Sequence, residues 1–104
     1  MKEITFLGDS LDQITSFPQS VKRDAGYQLD RVQNGEDPVD WKPMKTIGSG
    51  VREIHIKDAA GAFRVVYVAN IGDQIYVLHA FQKKTQKTAK GDIKLAKERL
   101  KALK

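Results

Sequence analysis

Three short stretches of this sequence carry side chains that could do acid–base and phosphate chemistry. In the first, polar residues alternate with isoleucine, and Glu53, His55 and Lys57 share one face of a predicted strand because successive strand side chains point to opposite faces. Arg64 falls in the next predicted strand, on the side that we expect to be open. Lys83 follows the last predicted strand, where the chain leaves the sheet. We therefore expect a carboxylate, an imidazole and several cations to converge at one rim of the sheet.

Such a cluster has the groups needed to cleave RNA through its own 2′-hydroxyl. That reaction requires a base for the 2′-hydroxyl proton, an acid for the departing 5′-oxygen and fixed cations around the charged transition state. Glu53 or His55 could accept the proton, and Arg64 could hold the phosphate through two hydrogen bonds. The candidates for neutralising charge or donating a proton are Lys57, Lys83 and Lys84. The scheme requires no metal.

The same residues also have a purely structural interpretation. Glu53 and Lys57 are neighbours on one face of a strand and could form a surface ion pair, while a strand histidine often satisfies a local hydrogen bond. Clustered titratable groups indicate a site only as a matter of probability. The pattern alone therefore leaves catalysis and a solvated polar face both open.

Several other chemistries lack their signatures. The absence of cysteine from the 104 residues excludes disulfide scaffolds, thiolate metal sites and cysteine nucleophiles. Gly48-Ser49-Gly50 precedes a strand and lacks the lysine and helix of a phosphate-binding loop. His55 and His79 show no recognised metal-ligand spacing. We expect neither a metal nor a cofactor.

The charge distribution favours a polyanionic partner. The net charge is +5, with a balance of −1 over residues 1–52 and +6 over residues 53–104. Residues 83–104 contain nine basic and two acidic side chains. Clustered lysine and arginine attract polyanions, and nucleic acid is the leading candidate, although a basic terminal helix can also be simply a solvated face. With neither a membrane span nor a leader in the sequence, the expected location is the cytoplasm.

Hydrophobic periodicity and turn residues predict a small α+β domain of βααβββα order. Ser10 is expected to cap the first helix, and Gly35 to end the second. Short connections predict an antiparallel sheet with two N-terminal helices on one face. A basic amphipathic helix is expected to pack at or near the sheet. The predicted strands are 2–7, 51–57, 63–70 and 74–81, the helices are about 10–17, 18–34 and 92–103, and 36–50 is predicted to be a loop.

Three segments resemble phage-derived HigB-like toxins of the RelE/ParE superfamily. They are Trp41 to Ile54, Phe63 to Ala69 and Tyr76 to Thr88, within a similarity that spans about residues 41–101. The most specific part is the run Phe81-Gln-Lys-Lys-Thr-Gln-Lys-Thr88, which follows a strand. The resemblance implies a single RelE/HigB-like toxin domain over residues 1–104 with a RelE-like fold.

The resemblance also implies an activity and partners. It implies the toxin of a type II toxin–antitoxin system, a ribosome-dependent mRNA endoribonuclease that needs no cofactor. The implied partners are a helix-turn-helix antitoxin, the ribosome and mRNA, with no membrane. Two alternatives remain at this point, a ParE-like gyrase inhibitor that does not cut RNA and a nucleic-acid-binding phage remnant, because fold alone does not fix function.

The resemblance also implies roles for individual residues, which follow from their positions in the matching segments. Arg64 matches the phosphate-binding arginine of the superfamily, and Lys83 falls near its second catalytic cation. Glu53 and His55 stand where relatives place catalytic lysines or a histidine, so that the base and the acid stay unassigned. We expect Arg64→Ala to abolish cutting with little effect on thermal unfolding. The candidate nucleic-acid-binding residues are Lys84, Lys87, Lys90 and Lys94.

Overall fold

A computed structural model describes residues 1–84 and 87–103 of the chain. Thr85 and Gln86, which belong to the run shared with HigB-like toxins, lie outside the described residues. The elements are β1 (Glu3–Phe6), α1 (Ser10–Ser16), α2 (Gln19–Gln33), β2 (Trp41–Pro43), β3 (Val51–Asp58), β4 (Gly61–Ile71), β5 (Gln74–Lys83) and α3 (Lys90–Lys101). The α+β class is confirmed.

The five strands form one sheet in the order β1-β5-β4-β3-β2. The β3–β4 and β4–β5 pairs are the predicted antiparallel neighbours, but β1 pairs with β5 in parallel. The prediction of a wholly antiparallel sheet is therefore wrong at one edge. The two helices between β1 and the rest of the sheet carry the chain back across one face, which allows the first strand to join in parallel.

The loop predicted over 36–50 contains a short edge strand. Trp41, Lys42 and Pro43 pair with Ile54, Glu53 and Arg52 of β3. The sequence gives little sign of this strand, since it has three residues and includes proline, which sheets accept only at edges or bulges. Its consequence is to place Lys42 directly opposite Glu53.

Helices α1 and α2 cover one face of the sheet, as predicted. The apolar stripe of α2 consists of Val21, Ala25, Leu29 and Val32, all buried against the sheet. Phe63, Val65 and Tyr67 of β4 point into this layer. Gly35 takes a φ of +81° just after α2, which is the left-handed geometry expected of a helix-ending glycine.

Ser10 does not cap α1. The N-cap is Asp9, and the buried Ser10 hydroxyl donates instead to the Val77 carbonyl at 3.3 Å. Serine at the start of a predicted helix suits either role, and the choice here depends on the proximity of β5. Ser10 thus joins α1 to the sheet rather than satisfying the first turn.

Helix α3 covers part of the opposite face, starting two residues earlier than predicted. Ala96 and Leu100 are buried, with Ile93 and Leu103 beside them, while Lys94, Lys97 and Lys101 are exposed. The sheet is thus enclosed between two apolar layers. The face that carries Arg64 is consequently not open as predicted, and Arg64 is buried.

Candidate active site

The predicted catalytic residues lie together on the α3-facing side of the sheet. Strand pairing aligns His55 with Arg64 and Arg64 with Phe81 in one row across β3, β4 and β5. In the next row, Lys57 and Lys83 both lie opposite Ala62. The sheet register thus brings together three segments that are far apart in the sequence.

Glu53 forms the centre of the arrangement, with its side chain only 1% exposed. Its Oε1 lies 3.0 Å from His55 Nε2 and 3.4 Å from Arg64 Nε, and its Oε2 accepts a hydrogen bond from Thr88 Oγ1 at 2.8 Å. We call Glu53, His55, Arg64 and Thr88 the Glu53 cluster. A buried carboxylate requires such partners, because an unpaired charge away from water is strongly unfavourable.

Arg64 is held at the cluster from two sides. Its side chain is 7% exposed, and Nη1 donates to the Phe63 carbonyl at 3.1 Å. The buried Nε is at ion-pair distance from Glu53 but makes no hydrogen bond of good geometry with the described residues. Arg64 is therefore a fixed cation with donor capacity that Glu53 leaves partly unused.

His55 connects the cluster to solvent, with its side chain 18% exposed. Its Nδ1 lies 3.9 Å from Asp40 Oδ1. Burial and the Arg64 charge lower the pKa of His55 below its ordinary value, and the opposing effects of Glu53 and Asp40 do not cancel them. The imidazole is therefore neutral near pH 7.

A buried glutamine of α2 holds the segment that faces His55. Gln28 Oε1 accepts from the backbone amides of Val39 and Asp40 at 3.1 and 3.3 Å. The Asp40 carbonyl in turn accepts from the His55 amide at 2.8 Å. This chain of hydrogen bonds fixes the backbone beside the imidazole.

Lys83 lies at the rim of the cluster. Partial burial, followed by the neighbouring charges of Arg64 and Lys42, lowers the pKa of Lys83, and Glu53 opposes that change. Because β4 and β5 pair Arg64 with Phe81 and Ala62 with Lys83, both cations lie on the same face of the sheet. Lys57 is exposed on the same face as Lys83.

The four lysines predicted to bind nucleic acid are less closely grouped. Lys84 donates to Gln82 Oε1 at 3.2 Å, and Gln82 lines a groove with Phe17 on the opposite, α1 side of the sheet. Lys87 is exposed and lies next to Thr88 of the cluster. Lys90 and Lys94 are exposed on the first turns of α3. Lys84 is thus the member that the fold turns away from the Glu53 cluster.

His79 serves the packing of α3. Its Nε2 lies 2.7 Å from Asp92 Oδ1, and its ring stacks on Phe81 with centroids 5.0 Å apart. Within residues 1–84 and 87–103, no group of three or more histidine, cysteine, aspartate or glutamate side chains is arranged to hold a metal ion.

Three residues of the site, Lys42, Gln28 and Thr88, were not predicted from the sequence. Lys42 depends on the unpredicted strand β2, and Gln28 acts through a loop that periodicity does not describe. Thr88 had a usable signal, because it ends the run that resembles HigB-like toxins. Hydrogen bonding of a threonine to a residue 35 positions away becomes visible only in the folded chain.

Together these residues form a site suited to a phosphodiester. Lys83 at the rim can attract a phosphate, the buried Arg64 adds a fixed positive charge beside it, and a neutral imidazole with solvent access can accept a proton. Glu53 orients the imidazole and the guanidinium at once. The arrangement can therefore support proton transfer beside a bound anion.

Comparison with known proteins places this arrangement in a family. The model of the family described as phage-derived protein Gp49-like matches residues 12–101. The Gp49-like proteins are a RelE/HigB-like toxin family associated with toxin–antitoxin modules. A search of curated protein sequences finds no significant match to this chain. Among the described residues, no helix has the length and apolar character needed to cross a membrane. Since the match covers most of the chain, including every residue of the Glu53 cluster, this protein belongs to the family of phage-derived Gp49-like proteins.

Proposed function

We propose that this chain is the toxin of a type II toxin–antitoxin system and cuts mRNA on the ribosome by metal-independent attack of a 2′-hydroxyl. The observation that carries the proposal is the meeting of an imidazole, a buried carboxylate and two cations at one rim of the sheet. Family membership supports the toxin context.

His55 is the better candidate for the general base. Both oxygens of Glu53 are engaged by partners inside the protein, which leaves that carboxylate no free face for a substrate. When Nε2 of neutral His55 donates to Glu53, Nδ1 carries the lone pair that accepts a proton. Glu53 then acts as a positioning residue that fixes the imidazole tautomer and its orientation.

The reaction proceeds by transesterification at phosphorus. His55 Nδ1 takes the 2′-hydroxyl proton, the 2′-oxygen forms a bond to phosphorus, and the bond from phosphorus to the 5′-oxygen breaks. Lys83 donates a proton to the departing 5′-oxygen, helped by its lowered pKa. Arg64 stabilises the charge on the non-bridging oxygens. The products are a 2′,3′-cyclic phosphate and a 5′-hydroxyl end.

The charge distribution supports the proposed partners. Exposed lysines of α3 and the rim of the site suit ribosomal RNA and mRNA in the cytoplasm. A cognate antitoxin of the helix-turn-helix class would neutralise the toxin by covering this basic surface with an acidic or amphipathic segment.

Primer extension on translated mRNA tests the proposal. Purified protein with active ribosomes is expected to give discrete, codon-linked ends, and His55→Gln is expected to reduce their rate of formation by about 10²- to 10⁴-fold. Lys83→Ala should also slow cutting, whereas Arg23→Ala, which removes an exposed cation of α2 on the opposite face of the sheet, serves as its control.

Other outcomes would contradict the nuclease. Intact mRNA together with inhibition of gyrase supercoiling would favour the ParE-like alternative. Intact mRNA with no slowing of growth on expression would indicate a phage remnant. If the His55→Gln variant cuts mRNA at the rate of the wild type, His55 is not the general base.

A further inference from the structure

A groove lies beside the Glu53 cluster, between β2 and the segment that leads into α3. Its volume is about 480 Å³. We call it the lysine groove; the residues that line it are Lys42, Pro43, Met44, Lys45, Thr46, Lys87, Thr88 and Ile93. None of these residues except Lys87 was among the sequence-predicted sites.

The lysine groove is continuous with the Glu53 cluster at two points. Thr88 lines the groove, and its hydroxyl donates to Glu53 Oε2 at 2.8 Å. Lys42 also lines the groove, lies opposite Glu53 in the sheet, and is close enough to Lys83 to lower its pKa. A chain bound at Arg64 and Lys83 can therefore run directly into the groove.

The residues that line the groove indicate what kind of ligand it can bind. All of its charged side chains are lysines, and its apolar surface comes from Pro43, Met44 and Ile93. Lysine ammonium groups bind phosphates, while apolar side chains suit the faces of bases and sugars. Thr46 adds a hydroxyl, and the described lining residues include no side-chain amide or carboxylate that could read base edges.

We propose that the lysine groove binds single-stranded RNA next to the phosphate that is cut, with Lys42 and Lys45 contacting backbone phosphates. This inference deepens the proposed function, because it assigns the adjoining part of the same substrate. The groove is expected to accept different bases with similar affinity, since its contacts go to phosphates and to apolar surfaces common to all nucleotides.

RNA binding without cleavage tests the groove. The probe is a fluorescent oligouridine of seven nucleotides in which every ribose is 2′-O-methylated, so that no 2′-hydroxyl can attack. Fluorescence anisotropy measures its affinity for the full chain over a series of salt concentrations. The double variant Lys42→Ala/Lys45→Ala is compared with Lys22→Ala/Arg23→Ala, which removes the same charge from α2 on the opposite face.

The groove variant is expected to bind about tenfold more weakly at low salt and to lower the slope of log affinity against log salt by about 1.4, or about 0.7 for each lost phosphate contact. The α2 variant should match the wild type in slope. Lys42→Arg/Lys45→Arg should retain binding, and oligoadenosine should bind with similar affinity. Equal thermal transitions of the variants establish that folding is unaffected.

Failure of the groove can be told apart from failure of the nuclease. The groove proposal would be wrong if the wild type does not bind the oligonucleotide, or if the groove and α2 variants lose affinity equally. Either result would count against the groove even if mRNA is cut on the ribosome. Selective loss in the groove variant would support the groove even if primer extension shows no cutting, because the methylated probe reports binding alone.

Discussion

At the scale of single residues, Glu53 links the stability of the protein to its proposed chemistry. Its carboxylate is buried and contacts His55, Arg64 and Thr88. Burying a charge is unfavourable unless its partners compensate for lost water, and removing one partner leaves the other unpaired. The sequence-based expectation that Arg64→Ala would hardly affect thermal unfolding therefore changes, since Arg64 is the buried counterion of Glu53.

Replacement of Glu53 should make that linkage measurable. Glu53→Ala is expected to lower the free energy of unfolding by about 3–5 kcal/mol, because it leaves the Arg64 charge buried without its counterion. Glu53→Gln should cost less, since an amide oxygen can still accept from Thr88. Urea denaturation provides the measurement, with the exposed Glu98→Ala as control. If Glu53→Ala lowers the free energy of unfolding no more than Glu98→Ala does, the ion pair of Glu53 with Arg64 does not stabilise the fold.

His55 should make stability depend on pH in the mildly acidic range. Its pKa is lowered in the folded state by burial and by Arg64, against the effects of Glu53 and Asp40. The unfolded chain therefore takes up the proton more readily as pH falls below the ordinary value of 6.5, and the fold loses stability there by at most about 1.4 kcal/mol per pH unit. His55→Gln should remove this part of the slope in denaturation curves at pH 5–7.5. An unchanged slope would exclude the effect.

At the scale of elements, α3 is fastened to the sheet by one arginine as well as by its apolar stripe. Arg99 Nη1 donates to the Leu78 carbonyl at 2.9 Å, and Nη2 lies 2.7 Å from Asp9 Oδ1. The His79–Asp92 contact holds the other end of the helix. Because Thr88 lies just before α3, the position of the helix also determines one contact of Glu53.

Loss of Arg99 should therefore weaken the docking of α3. Arg99→Ala is expected to lower the free energy of unfolding by about 1–3 kcal/mol, since it leaves the Leu78 carbonyl without its donor. Lys97→Ala, an exposed substitution on the same helix, should have little effect. Hydrogen exchange in α3 measured beside denaturation would show whether the loss is local. Equal stability of the two variants would mean that the apolar stripe alone holds the helix.

At the scale of the whole molecule, one sheet serves two apolar layers. Leu29 belongs to the layer under α1 and α2, and Leu100 to the layer under α3. Adjacent residues of β4, such as Val65 and Val66, supply the two layers alternately. The layers therefore cannot unfold independently without breaking the strands that they share.

Mutations in either layer should destabilise the whole domain, which is expected to unfold in a single transition. Leu29→Ala and Leu100→Ala are each expected to cost about 2–5 kcal/mol, the usual range for truncating a buried leucine. Trp41 fluorescence and far-ultraviolet circular dichroism should give coincident curves for both variants. Separate transitions for Leu100→Ala would show that α3 and its layer form an independent unit.

The amino-acid sequence by itself determined the helices, four of the five strands, the basic C-terminal half and most of the catalytic candidates, because periodicity and residue chemistry are local properties. Only the tertiary structure decided that β1 joins β5 in parallel, that β2 places Lys42 opposite Glu53, and that Arg64 is buried. A bulge at Leu78, where Val66 pairs with His79 and Tyr67 with Val77, also obscured the alternation of β5. These features depend on strand pairing and on α3 covering the second face, and contacts between residues distant in sequence leave no periodic signal in the chain.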